Sequence, residues 1–318
     1  MKVLFITTPP PGPQGDLLEV SMLHGLRTLL GENCIDHPRK KVLYHDWSET
    51  TKEELHGRGF TLYREPLADL HLYDRMNTFD IDYVIYGVTN AYGVEENELL
   101  NAKASKGVYY LDGHDLYGTA PRTIEFEGEK IIGVQKTPCF KRELVEQHPD
   151  AYPTGFGIPA YQIRPFDLSK KTQLVQTSAP DAALFRQVRD VGGSRAHHIF
   201  TEEAEYYNDL ECSWFGLTCK KGGWDCMRHY EILAAGALLL FRDYDKKPPL
   251  CSPQELPCYS YTTAEELKAL TTRLVVNNEP TEEYMKMLNK QREWLYNVGT
   301  TVARARHLLN VLERKEVD

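Results

Sequence analysis

The chain opens with a continuous apolar strand, a loop bearing proline and glycine, and an amphipathic helix: KVLFITT, PPPGPQGD and LLEVSMLHGLRTLLG, residues 2–31. No other feature limits the fold as much. A strand without polar alternation has to be covered on both faces, which is the situation of strands in parallel sheets beneath crossover helices. Leu17, Val20, Leu23 and Leu26 recur at helical spacing, with Asp16 placed to cap the helix and Gly31 to end it. Further strands are expected at VLYHDW, IDYVIYGV and GVYYLDG, separated by segments long enough for crossovers.

The same order returns in TQLVQTSAPDAALFRQVRDVGG, residues 172–193, as a strand, a loop of small residues and a helix that stops at Gly192. Between the two units lies PTGFGIPAYQIRPFD, rich in Gly, Pro and aromatics, which suits a connection between domains. At 318 residues the chain is long enough for two cores. The expected organisation is α/β, with two Rossmann-like domains, 1–160 and 161–318, facing each other across a cleft. C-terminal helices from about residue 281 belong to the second domain.

Composition narrows the function classes. Lys and Arg number 37 against 46 Asp and Glu, a formal charge of −9, so no global field gathers nucleic acid or anionic membrane. The seven cysteines are dispersed, without a CxxC pair or a zinc-spaced Cys/His cluster. They read as reduced thiols of a cytoplasmic protein. Cys212, Cys219 and Cys226 recur every seven residues, but Gly216, Gly222 and Gly223 would interrupt a helical stripe. No stretch approaches the roughly 20 apolar residues of a membrane span.

The stretch with the most chemistry is GGWDCMRHYEILAAGALLLF, residues 222–241. Gly222 and Gly223 let backbone approach a ligand, Asp225 can cap a helix from Cys226 to Ala235, and Gly236 stops it. Arg228 then falls in the first turn, where free N–H groups and the positive helix end favour an anion, and a guanidinium there suits a diphosphate. Glu231, three residues on, can accept hydrogen bonds from a sugar's hydroxyl pair. Leu238 to Phe241 continue as a buried strand. The same spacing also fits a plain i,i+3 ion pair between Arg228 and Glu231 on a surface helix.

The longer segment YYNDLECSWFGLTCKKGGWDCMRHYEILAAGALLLF resembles the donor site of GT-B glycosyltransferases, especially the exostosin-like and spore-maturation-protein-like families. The residues that carry the resemblance are Leu210, Ser213, Phe215, Leu217, Gly222, Gly223, Arg228, Glu231 and Ala235 to Ala237. It implies that Glu231 holds a donor ribose and Arg228 the diphosphate of a nucleotide sugar, a UDP-sugar before others. A hexosyltransferase is expected, and with Arg228 and the helix N–H groups to stabilise the departing diphosphate no metal is strictly required and no cofactor beyond the nucleotide-sugar substrate. Where the broader pattern has a second Glu eight residues before Glu231, this chain has Gly223. Lys221, with Lys220, flanks the glycine turn, and Ser178 and Arg186 could serve the diphosphate from the helix that follows the 172–177 strand.

In the first half, YYLDGHDLYG places Asp112, His114 and Asp115 at the end of a strand, where a parallel sheet presents ligand groups. His114, Asp16 or Asp115 is the candidate base that deprotonates an acceptor hydroxyl. DGHD also resembles the Asp-x-Asp element with which GT-A glycosyltransferases hold a divalent cation, although its spacing is Asp-x-x-Asp. Lys141 and Arg142 in CFKREL could face phosphates, and His197 and His198 fit structural roles. The acceptor is open among glycan, lipid, protein and modified DNA base. A phage-type base glycosyltransferase would need a basic stripe such as Lys40, Lys41, Arg58, Arg122, Lys141 and Arg142. A nucleotide-sugar-binding protein without catalysis is a further alternative.

Overall fold

The computed structural model describes residues 1–7, 17–44, 55, 60–61, 80–87, 104–115, 124–126, 129–131, 138–178, 186 and 199–314. Asp16, Arg58, Arg122, His197, His198 and most of the helix expected after Ser178 lie outside these residues. Two compact units emerge: 1–159 with 250–252 and 300–318, and 160–249 with 253–299.

The first unit is built on a six-stranded, all-parallel sheet of β1 (Val3–Ile6), β2 (Cys34–His37), β3 (Ile81–Tyr86), β4 (Ala104–Asp112), β7 (Cys139–Lys141) and β8 (Ala151–Pro153), in the order β2-β1-β3-β4-β7-β8. A separate antiparallel pair, β5 (Ile124–Phe126) and β6 (Glu129–Ile131), lies between β4 and β7 in the chain. β1 is buried at every position, as its unbroken apolar run requires.

After β1 the helix α1 (Leu17–Leu30) runs as expected and ends at Gly31, whose φ of +55° is a conformation that glycine adopts without a Cβ penalty. The strand beside β1 is a surprise. VLYHDW does not supply it; Lys41–Leu43 is a 3-10 turn, and the neighbour is Cys34–His37, reached directly from the end of α1. A short return from a crossover helix leaves only four residues for the next strand, too few to show a period.

The final helix, α6 (Thr301–Arg314), also departs from expectation. Expected in the second domain, it packs on α1 in the first unit. The approach is close enough that a Cβ on Gly25 of α1 would lie 2.0 Å from the Thr301 carbonyl oxygen. Ala303, Ala305, Leu308 and Leu312 form its buried face. The second domain as expected, 161–318, thus yields 250–252 and 300–318 to the first unit.

The second unit has a four-stranded parallel sheet, β9 (Gln173–Val175), β10 (Ser213–Cys219), β11 (Leu238–Arg242) and β12 (Tyr259–Tyr261), in the order β12-β11-β10-β9. Among the described residues its helices include α2 (Glu203–Cys212), α3 (Met227–Ala234), α4 (Ala264–Leu274) and α5 (Glu282–Trp294), with a small hairpin of β13 (Val275–Val276) and β14 (Glu279–Pro280). Phe215, Leu217, Leu238 and Leu240 from the sheet pack with Leu267 and Leu274 of α4 and Tyr284 and Leu288 of α5. The three cysteines spaced by seven fall on three different elements: the end of α2, the end of β10 and the N-cap of α3.

Candidate functional site

β10, α3 and β11 form one βαβ unit, with Phe215 in register with Leu238 and Cys219 with Arg242. α3 therefore starts just past the carboxyl edge of β10, the edge at which such sheets bind ligands. All eight residues of α3 are buried. This is not a surface helix, and the reading of Arg228 and Glu231 as a solvated ion pair loses its premise.

Gly216 explains how α3 comes so close to the sheet: a Cβ there would sit 2.2 Å from Ile232 Cγ2. Gly236 ends the helix at a φ of +75°, as the sequence implied. A buried lysine secures that exit. Lys171 donates to the carbonyls of Glu211 at 2.8 Å, Ser213 at 2.7 Å and Gly236 at 2.9 Å, tying the end of α2, the start of β10 and the end of α3 to one ammonium. Burial lowers its pKa to about 8.

Asp225 does not cap α3. The N-cap is Cys226, without a side-chain capping bond, and Asp225 Oδ1 accepts instead from the Tyr230 hydroxyl at 2.9 Å. His229 makes a second latch: Nε2 donates to the Trp224 carbonyl at 2.9 Å, and Nδ1 lies 2.9 Å from the Thr218 hydroxyl. A carbonyl can only accept, so Nε2 carries the proton. The imidazole also packs on Phe241, 4.7 Å between centroids. The charged cluster around 225–231 thus has two parts. Asp225 and His229 fasten the turn to the helix; Arg228 and Glu231 sit at the sheet edge.

Arg228 lies in the first turn of α3, 9% exposed. Burial works against its charge, yet the Cys226 and Cys219 sulfurs and the Tyr206 phenol hold its pKa above the ordinary guanidinium value. Glu231, 8% exposed, accepts a hydrogen bond at Oε2 from the Tyr206 hydroxyl of α2 at 2.7 Å. Burial, then the Glu231 carboxylate, push the Tyr206 pKa well above the ordinary phenol value, so it stays a donor. Sequence reasoning missed Tyr206. It lies 25 residues from Glu231, and only the tyrosine pair at the head of the quoted motif hinted at it.

Before α3, Lys221 and Gly222 are exposed and Gly223 is buried, with the Lys221 N–H bonded to the Gly223 carbonyl at 3.1 Å. Lys220 lies 5.7 Å from the Trp224 ring centroid. On the neighbouring strand, Gln176 extends β9 by bonding its side-chain amide to both the N–H and carbonyl of Leu217, each at 2.8 Å. That places the buried Ser178 just beyond the same carboxyl edge. Arg186 is helical and exposed.

In the first unit the DGHD and CFKREL motifs prove to be one structure. β4 and β7 are neighbours with Asp112 opposite Lys141, and these two fully buried side chains are ion-paired at 2.6 Å. Arg142 pairs with Asp115 and donates to the Gly113 carbonyl at 2.8 Å, with its guanidinium over Phe156 at 4.5 Å. Lys141 and Arg142, which the sequence left open between facing phosphates and a solvated basic turn, are buried and hold the DGHD turn. His114 is half-buried at the carboxyl end of β4, its N–H bonded to Asp112 Oδ1 at 3.1 Å. Among the described residues, no cluster of three or more His, Cys, Asp or Glu is arranged to hold a metal ion, and no helix is long and apolar enough to cross a membrane.

The sequence matches no family model and no curated protein. Solved structures share the architecture over its whole length. A crystal structure of Anabaena Alr3699/HepE in complex with UDP and glucose matches 99% of this chain and 100% of its own at a TM-score of 0.56 and 8% identity. A glycosyltransferase from Rickettsia africae ESF-5 matches 98% of each chain at a TM-score of 0.52 and 9% identity. AviGT4, a glycosyltransferase involved in avilamycin A biosynthesis, matches 99% of this chain and 98% of its own at a TM-score of 0.50 and 12% identity. The two parallel α/β units of this chain together have the GT-B fold.

Proposed function

We propose that the chain is a glycosyltransferase that moves a sugar from a nucleoside-diphosphate sugar to an acceptor hydroxyl. The observation that carries this reading is the buried Arg228 and Glu231 on a helix that starts at the carboxyl edge of a parallel sheet, within a GT-B fold. A guanidinium and a carboxylate held three residues apart at that edge match the two chemistries of a nucleoside-diphosphate sugar, an anionic diphosphate and a ribose hydroxyl pair. Arg228 and the N–H groups of the first α3 turn take the diphosphate; Glu231 takes the ribose hydroxyls. The Gly222–Gly223 turn, Lys221, Ser178 and Arg186 serve the same anion from the sheet edge, and Asp225 acts by holding the turn.

A uridine donor with a hexose is favoured because Alr3699/HepE has been crystallised with UDP-glucose as well as with UDP. The finer likeness, to exostosin-like and spore-maturation-protein-like transferases, rests on the 210–237 motif. Catalysis consists mainly of positioning and of stabilising the departing diphosphate with Arg228 and the helix start. His114 is the preferred base, since Asp115 is already paired with Arg142. No cofactor is assigned.

The test is a thermal-shift panel of nucleoside diphosphates and their sugars, because a ligand of the native state raises the melting temperature by mass action. A nucleotide that stabilises the wild type should lose most of its effect in both Glu231→Ala and Arg228→Ala. Equal stabilisation of all three proteins would remove this site from the reading.

A further inference from the structure

We infer that Tyr206 sets the preference of this site for ribonucleotides over 2′-deoxyribonucleotides, by holding the Glu231 carboxylate in the orientation that accepts the ribose hydroxyls. The inference rests on the donor-site reading above and assigns a positioning residue to it.

Three observations meet at this pair. The Tyr206 hydroxyl donates to Glu231 Oε2 at 2.7 Å across two helices, α2 and α3. A carboxylate has about four acceptor positions on two oxygens, and fixing one of them fixes the plane in which the others lie. The phenol itself is fixed: its ring sits edge-on to Tyr207 at 5.6 Å and tilted against Phe200 at 5.8 Å. The burial that raises its pKa keeps it a donor across the working pH range.

The pair is also more than packing. α3 is buried along its whole length, and an apolar residue at position 231 would fill the space without the cost of burying a carboxylate. A hydroxyl donor on one side offsets part of the cost of burying the carboxylate. Discrimination by hydrogen bonding to a hydroxyl is strong only when the acceptor is held in place, since an acceptor free to turn away loses little when the hydroxyl is missing.

The experiment compares UDP with 2′-deoxy-UDP, and likewise the guanosine and adenosine pairs, by calorimetric titration of wild type, Tyr206→Phe, Glu231→Ala and the double variant. Tyr206→Phe keeps the ring and its packing; Tyr206→Met gives the same readout if the phenylalanine variant does not fold. The expected result is that the wild type prefers the ribonucleotide, that Tyr206→Phe weakens the ribonucleotide about tenfold and the deoxyribonucleotide hardly at all, and that it adds no further loss in the Glu231→Ala background. Preserved discrimination in Tyr206→Phe, beside its loss in Glu231→Ala, overturns the role of Tyr206 alone. A further loss on adding Tyr206→Phe to Glu231→Ala overturns it too, because the phenol would then act without the carboxylate. A wild type that shows no preference in any pair overturns the ribose assignment of Glu231, and the present inference with it.

Discussion

His24 shows how much a single side chain can tie to pH. It sits on α1 with Nδ1 2.9 Å from the Thr301 hydroxyl of α6, and burial lowers its pKa to about 4 from an ordinary 6.5. The neutral ring belongs to the folded protein, while the unfolded chain takes up a proton already near pH 6.5. Between these values the unfolded state binds more protons, so stability falls as pH falls from about 6.5 to about 4. The full effect is about 3 kcal/mol. Urea denaturation across that window should show the decline, and His24→Asn should flatten it; an unchanged slope in the variant would assign the pH dependence to other groups. At this scale the sequence was partly legible. Arg228 and Glu231 stood out because charge beside an apolar run is unusual, whereas Tyr206 and Lys171 did not, since their partners are distant in sequence and one of them uses only backbone carbonyls.

Elements were legible where a period or a break wrote them. β1, β3, β4, β9 and β11 follow from apolar runs, and Gly31 and Gly236 mark the helix exits. β7 and β8 have three residues each and sit at one side of the sheet, too short for a pattern to form. β10 hid in the motif because its central glycine reads as a break, yet Gly216 is there for contact with α3 rather than for a turn. Gly216→Ala tests this: the added methyl would meet Ile232 at well under contact distance, in a core without room to give. The expected loss is about 1–3 kcal/mol, with weaker nucleotide binding because α3 carries Arg228 and Glu231. Chemical denaturation and titration of the same variant measure both, and an Ala variant as stable as the wild type would show that α3 can shift without consequence.

For the whole molecule, the amphipathic period of the last helix predicted that it would pack without saying on what, because an apolar face is equally at home on either unit. The structure resolves this through Gly25, whose missing side chain lets α6 approach α1. It follows that stability and donor binding can be separated by position. Leu308 and Leu312 are fully buried in the first unit, whereas the candidate donor site is assembled wholly from 160–249 and 253–299. Leu308→Ala should therefore cost about 2–5 kcal/mol. Two transitions, or one broadened transition, are expected in calorimetry as the first unit melts earlier. Below that transition, the affinity for a nucleoside diphosphate should match that of the wild type within a factor of two or so, since an additive pair of distant sites is the ordinary case. A Leu308→Ala protein that remains folded but loses nucleotide affinity would mean that the helix at the chain's end acts on the donor site as well as on the core it covers.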